Sequence, residues 1–228
     1  VVDYQLGGAY EPASDVQIVT RDRTEKPAPG RYNICYVNAF QTQPGELTFW
    51  ESRHPSLLLR DGGKPLIDAN WPDEVILDIR TAAKRTEAAE VVGTWFDGCA
   101  ADGVDAAEPD NLDAWTRSKG HISEADALAF AKLLIRRAHQ DGLAIAQKNT
   151  AEWTGKRLGF DFAVAEECEV YDECGAYMKV YGAHVIEVEY ADDSFRSSCA
   201  SRRGDISILL RDRDVVPMSS TRYVSETC

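Results

Sequence analysis

Apolar residues in this chain come as short runs separated by polar breaks, and few of the runs alternate cleanly. Val2–Leu6, Val16–Thr20, Arg31–Ala39, Gly103–Glu108, Leu143–Gln147, Phe162–Ala165, His184–Tyr190 and Ile206–Leu210 are the clearest. Runs of this length, rich in β-branched and aromatic residues, predict strands. Their centres fall on Tyr4, Ile18, Cys35, Val104, Ala144, Val164, Val185 and Ile208. Continuous apolar bodies fit a buried parallel sheet better than half-exposed antiparallel strands. Helices are predicted over Thr81–Phe96, which is rich in Ala, Glu and Lys, and over Ser123–Gln140. The second carries a capping-box start at Ser123 and Asp126, an apolar face through Ala127, Ala131, Leu134 and Ala138, and a stop at Asp141-Gly142. Phe40–Pro72 reads as a long loop with helical pieces near Leu47–Arg53 and Ser56–Leu59, and Val75–Ile79 as a candidate extra strand. Eight strands with intervening helices predict an α/β fold: a single (β/α)8 TIM-type barrel over residues 1–228, its first βα unit irregular for want of a helix.

The carboxyl ends of these runs are polar. They read Arg21/Asp22, Asn38, Glu108/Asp110/Asn111, Lys148/Asn149, Glu166/Glu167, Glu189/Tyr190 and Arg211/Asp212. A barrel places its active site at those ends. In GVDAAEPDNLDAW (Gly103–Trp115), Pro109 lacks a backbone donor, so regular pairing is expected to stop there and leave acids at the mouth. Alone, such a cluster reads as an acidic surface turn. A second carboxylate two strands away changes that reading. Strand ends two positions apart are about 10 Å apart at the backbone, and inward carboxylates would close to roughly 5–9 Å, the span of glycosidase pairs.

Charge and cysteines narrow the class. The 228 residues carry a formal charge of −13 with a sequence pI of about 4.8. No basic stripe is present, so nucleic acid is not an expected partner, whereas a cationic ligand suits an acidic cleft. Six cysteines, with no zinc-type spacing, predict disulfides and an extracellular, secreted protein. Six cysteines allow fifteen pairings, which the sequence does not decide; the set expected is Cys168–Cys174, a short local loop, with Cys199–Cys228 and Cys35–Cys99, Cys228 pinning the tail. No apolar run reaches the length of a membrane span. The chain opens directly on VVDYQL, as expected of a mature chain.

Other chemistries lack their residues. His54, His121, His139 and His184 show no ligand spacing, so no metal is expected. There is no GxSxG elbow, GxGxxG or P-loop, and no cofactor is expected. Lys148 could form a Schiff base, but a positioning role beside acids is favoured. Trp50, Trp71, Trp115, Trp153, Tyr10 and Tyr190 are candidates for stacking on sugar rings or for ordinary packing.

The segments DYQLGGAY, YNICYVNAFQTQPGE, DGVDAAEPDNLD, GLAIAQKN, DFAVAEECEVYDEC and VIEVEY, in this order, resemble glycoside hydrolase family 114, the endo-α-1,4-polygalactosaminidases. The resemblance implies a cofactor-free, secreted endo-glycosidase cleaving α-1,4-linked galactosamine polymers with two carboxylates. It places the nucleophile or base on Asp110. It places the acid/base on the Glu166-Glu167 pair, with Glu167 preferred and a shift of one residue left open. Substrate-binding positions are then Tyr4, Gln5, Asp22, Asn38, Glu108, Asn111, Lys148, Asn149, Glu166, Glu189 and Tyr190. Ala165 departs from the family, where Asn is expected, and the GCAADGVDAA run is looser than usual. A cationic galactosamine-containing glycan is the implied partner and a monomer the expected state. The alternatives are a non-catalytic carbohydrate-binding barrel and a glycosidase of another linkage.

Overall fold

The computed structural model describes residues 1–228. Strands β1 (Val2–Gln5), β2 (Ile18–Asp22) and β3 (Tyr32–Asn38) precede helix α1 (Leu47–Arg53) and a small hairpin of β4 (Arg60–Asp61) and β5 (Lys64–Pro65). Helix α2 (Ala82–Ala101) leads into β6 (Ala106–Asp110), and α3 (Ala114–Arg117) and α4 (Glu124–Gln140) lead into β7 (Ala144–Lys148). Then β8 (Phe162–Glu166), α5 (Cys174–Tyr181), β9 (Val185–Glu189), α6 (Asp192–Arg202) and β10 (Ser207–Arg211) alternate, before a short β11 (Ser225–Thr227). The main sheet runs β1-β2-β3-β6-β7-β8-β9-β10-β11. All its neighbours are parallel except β10 and β11. Strand β1 packs beside β10, so the sheet nearly closes. This is the expected (β/α)8 barrel, with no helix between β1 and β3.

Several details differ from the sequence reading. The strand read around Val104 begins at Ala106 and runs through Pro109. Its ladder to β7 stops at Ala107, as a missing donor would have it, but its ladder to β3 continues to Asn38↔Asp110. Val75–Ile79 forms only isolated bridges, to Gln41, Leu58 and Ile67, because its partners are loop residues and not a strand. Helices α3, α5 and α6, the β4–β5 hairpin and strand β11 carry no clear signal in the sequence. In α6, DDSFRSSCASR has few apolar residues to mark a period.

The period of two along each strand decides what faces the barrel interior. One buried cluster collects Val2, Tyr4, Ile34, Ala106, Ala146, Phe162, Val164, Ile186, Val188 and Leu209, the inward set. Another collects Ala163, Ala165, Val185, Ile208 and Leu210, the outward set under α5 and α6. The inward columns change character from bottom to top. They read Ile18–Thr20–Asp22, Ile34–Tyr36–Asn38, Ala106–Glu108–Asp110, Ala146–Lys148, Phe162–Val164–Glu166 and Ile186–Val188–Tyr190.

The outer layer is fastened locally. Ser123 and Asp126 form the full capping box of α4. Gly93 of α2 lets Arg137 of α4 lie across it, since a Cβ there would sit 2.9 Å from the guanidinium. Helix interiors pay about 1 kcal/mol for glycine, which the close packing of α2 on α4 offsets. Disulfides join Cys35–Cys99, Cys168–Cys174 and Cys199–Cys228, the pairs expected from sequence. The first ties β3 to α2 across 64 residues, a loop length for which chain entropy gives about 4 kcal/mol.

Candidate active site

A cleft of about 690 Å³ opens at the carboxyl ends of the strands. Each of the three strands supplying its central groups ends in a left-handed turn. Asn111 (φ 64°), Asn149 (φ 52°) and Glu167 (φ 55°) directly follow Asp110, Lys148 and Glu166. Such backbone is uncommon for residues other than glycine. Here it breaks the chain away just after a side chain that points inward.

Lys148 is the hub. Its side chain is 2% exposed, and its Nζ lies 3.0 Å from Glu108 Oε1, 3.3 Å from Asp110 Oδ1 and 3.4 Å from Glu166 Oε2. It also donates to Tyr4 Oη at 3.2 Å, and Tyr4 donates in turn to Glu108. Burial opposes the ammonium charge, but Asp110, Glu166, Tyr4 and Glu108 outweigh it and raise the Lys148 pKa well above its ordinary value. A buried cation with this many acid partners stays charged.

The carboxylates differ in setting. Burial would raise the Asp110 pKa, yet Lys148, the Tyr36 hydroxyl and the Asn111 backbone N–H together hold it below the usual range. Tyr36 donates to Oδ2 at 2.7 Å and the Asn111 N–H to Oδ1 at 2.7 Å. Glu166 accepts from Asn149 Nδ2 at 2.9 Å and from the Tyr190 hydroxyl, while Asn149 Oδ1 accepts its backbone N–H at 2.8 Å. Glu108 is fully buried beneath them, and burial raises its pKa despite Lys148. Burial and nearby carboxylates raise both Tyr36 and Tyr190, keeping them neutral donors.

Strand phase explains which expected residues meet. Glu166 is in step with Phe162 and Val164 and points inward, whereas Glu167 is out of step, lies past the strand and pairs with Arg213 at 2.8 Å. The preferred Glu167 is therefore at the cleft wall, and Glu166 is the carboxylate beside Asp110. The run FAVAEE is apolar on both faces, which hid this phase. Asp22, Asn38, Asn111, Asn149 and Tyr190 line the cleft. Four expected substrate-binding residues do not. Tyr4 and Glu108 are inward but one layer too deep, under Lys148. Gln5 faces outward with Asp3 and Arg21. Glu189, in step with the outward Val185, is buried against the Glu169 backbone. Among the stacking candidates, Trp50 and Trp153 are core residues and Tyr10 bonds Asp3, whereas Trp71 and Tyr190 line the cleft.

Several cleft groups were not read from sequence. Tyr36 was legible in the period of β3, since it shares the phase of Ile34 and Asn38. Glu74, Arg117, Tyr171 and Arg213 come from loops or a four-residue helix and carry no periodic signal. Nine carboxylates and three cations line the cleft. The acids Glu74, Glu152, Glu166, Glu173 and Asp214 join Asp22, Asp110, Asp113 and Glu167 there.

Two carboxylates facing each other at the carboxyl mouth of a (β/α)8 barrel, in unlike environments, are the equipment of a glycoside hydrolase. The model of Glycoside-hydrolase family GH114 matches residues 2–228, and the chain belongs to that family. Its structure is similar to that of Aspergillus fumigatus Ega3 in complex with galactosamine, with TM-score 0.79, 21% identity and coverage of 100% of this chain and 94% of that one. The glycoside hydrolase domain of PelA from Pseudomonas aeruginosa is also similar, with TM-score 0.67, 13% identity and coverage of 98% and 97%. At these identities the likenesses speak to the fold. No curated protein matches the sequence.

Proposed function

We propose that this glycoside hydrolase cleaves α-1,4-linked galactosamine polymers from within, with Asp110 and Glu166 as the reacting carboxylates. The observation that carries the assignment is Lys148, which touches both. The separation of those two oxygens cannot exceed the two contacts laid end to end. That caps it near the shortest spacing of inverting pairs, about 6.5 Å, and leaves the retaining spacing of about 5–5.5 Å within reach. The retaining path is the one we propose. Asp110, held ionised, attacks the anomeric carbon, and Glu166 gives its proton to the leaving oxygen. Glu166 then takes a proton from the water that hydrolyses the glycosyl-enzyme ester. Tyr190 and Asn149 hold Glu166 in place throughout.

The excess of acids in the cleft supports a polymer whose sugars carry ammonium groups, since a negative cleft concentrates cations. Galactosamine in the related Ega3 structure agrees with that choice. Three disulfides support secretion, and the unbroken barrel from residue 2 to 211 supports one catalytic domain. No helix is long and apolar enough to cross a membrane. Incubation with a panel of hexosamine polymers, read by reducing ends and product masses, tests the reading. Internal cleavage of the galactosamine polymer, weakened by salt, is expected. Binding without release of new reducing ends would make the chain a non-catalytic carbohydrate-binding barrel instead.

A further inference from the structure

Glu74 lies in the loop before α2, outside every strand, and lines the cleft while only 7% exposed. Its two oxygens are treated differently. Oε2 accepts from Asn38 Nδ2 at 2.8 Å and from Asn111 Nδ2 at 3.4 Å. Those amides are themselves fixed: Asn111 Nδ2 also donates to Asn38 Oδ1 at 2.9 Å, and Arg117 Nη2 donates to Asn111 Oδ1 at 2.9 Å. Oε1 accepts no hydrogen bond from the protein. The nearest cation of the loop wall, Arg117, is spent elsewhere, on Asp68 at 2.5 Å and Asp113 at 2.5 Å.

A carboxylate anchored by one oxygen, with the other open to a cleft, is a receptor short of a donor. Asn111 ties it to the reacting group, because the Asn111 N–H holds Asp110. We propose that Glu74 is a specificity-determining residue of this site, whose free oxygen receives the ammonium group of a sugar bound next to Asp110. The inference rests on the galactosamine reading above and adds what selects the amine over its acetylated form. An ammonium would donate to Oε1 and neutralise it. An N-acetyl group would present a bulkier amide with one donor and no charge, leaving the buried carboxylate uncompensated. Burial raises the Glu74 pKa to about 7, with Asp110 and Asp68 adding to the rise and the Asn38 hydrogen bond and Arg117 opposing it. Such a group gains more from an incoming cation than an exposed acid would.

The test uses Glu74→Gln, whose amide oxygen can still accept from Asn38 and Asn111. Galactosamine tetramers and N-acetylgalactosamine tetramers are titrated into Glu166→Gln and Glu74→Gln/Glu166→Gln proteins by calorimetry, so that binding is read apart from turnover. The expected result is a tenfold to hundredfold loss of affinity for the amine tetramer, the order expected for a charged hydrogen bond, with the acetylated tetramer changed less than about threefold. Unchanged amine binding, or an equal loss for both ligands, overturns the proposal, the latter marking Glu74 as a brace for Asn38 and Asn111. Turnover of the two polymers by the parent protein is measured separately. Failure there counts against the proposed reaction, while the binding comparison still decides the role of Glu74.

Discussion

The inward columns of the barrel end in opposite ways at its two mouths. At the amino ends of the strands, Ile18, Ile34, Ala144, Phe162 and Ile186, with Tyr32 at the edge, surround an apolar hollow of about 510 Å³. At the carboxyl ends the same columns finish in Asp22, Asn38, Lys148, Glu166 and Tyr190, around a cleft rich in acids. One set of strands thus builds an apolar base and a charged top, and the crossover occurs within five residues. The lower residues have only burial to offer. The upper ones are costly to desolvate and survive because Lys148 and its neighbours compensate one another. Stability and chemistry are therefore held at opposite ends of the same side-chain columns, and substitutions should separate them.

The largest effect is expected at the upper mouth. Asp110→Asn should lower kcat on a galactosamine polymer by about 10,000-fold and Glu166→Gln by about 100–10,000-fold. Both should keep melting midpoints within a few degrees of the parent. Glu167→Gln, one residue on but facing Arg213, should cost less than about tenfold. A larger loss in Glu167→Gln than in Glu166→Gln would reverse the assignment. Lys148→Met should cost both properties. It strands Glu108 and Asp110 without their cation, and urea titration should read a loss of about 3–5 kcal/mol. At the lower mouth, Ile186→Ala should cost about 2–5 kcal/mol of stability with kcat unchanged at a temperature where the variant is folded. A matching fall in kcat would mean that the two ends are mechanically coupled.

The smallest effect tests the outward face. Burial raises the Glu189 pKa from 4.5 to about 7, with Glu187 adding and the hydrogen bond from the Glu169 N–H opposing. The unfolded chain releases this proton near 4.5 and the folded chain near 7. Between those values the folded state holds more protons, so this group's contribution to stability falls as pH rises through the window. The loss should be on the order of 2 kcal/mol. Glu189→Gln should flatten that limb in urea titrations at pH 5 and pH 7, and an unchanged slope would count against a raised pKa there.

How far the sequence foretold this molecule depends on where each signal sits. The barrel strands β1 to β3 and β6 to β10 were legible because continuous apolar runs mark buried parallel strands, and α4 because its capping box and apolar face agree. Helix α5 begins at a disulfide cysteine and α6 carries mostly polar residues, so neither repeats an apolar stripe. Asp110, Lys148 and Asn38 were legible as polar ends of apolar runs. The step from Glu167 to Glu166 turned on the phase of a strand buried on both faces, where periodicity is silent. Glu74 and Arg117 were out of reach, since long-range folding of irregular segments brings them to the cleft.

The left-handed residues after β6, β7 and β8 carry a consequence for how such a site can change. Asn111, Asn149 and Glu167 fix by backbone shape where each strand lets go of the barrel. The address of each inward side chain at the mouth is then written in the main chain, one position ahead of the turn, whichever residue occupies it. New side chains can be tried at 110, 148 and 166 without rerouting a loop. Replacing a turn residue with a β-branched one would instead move the address itself.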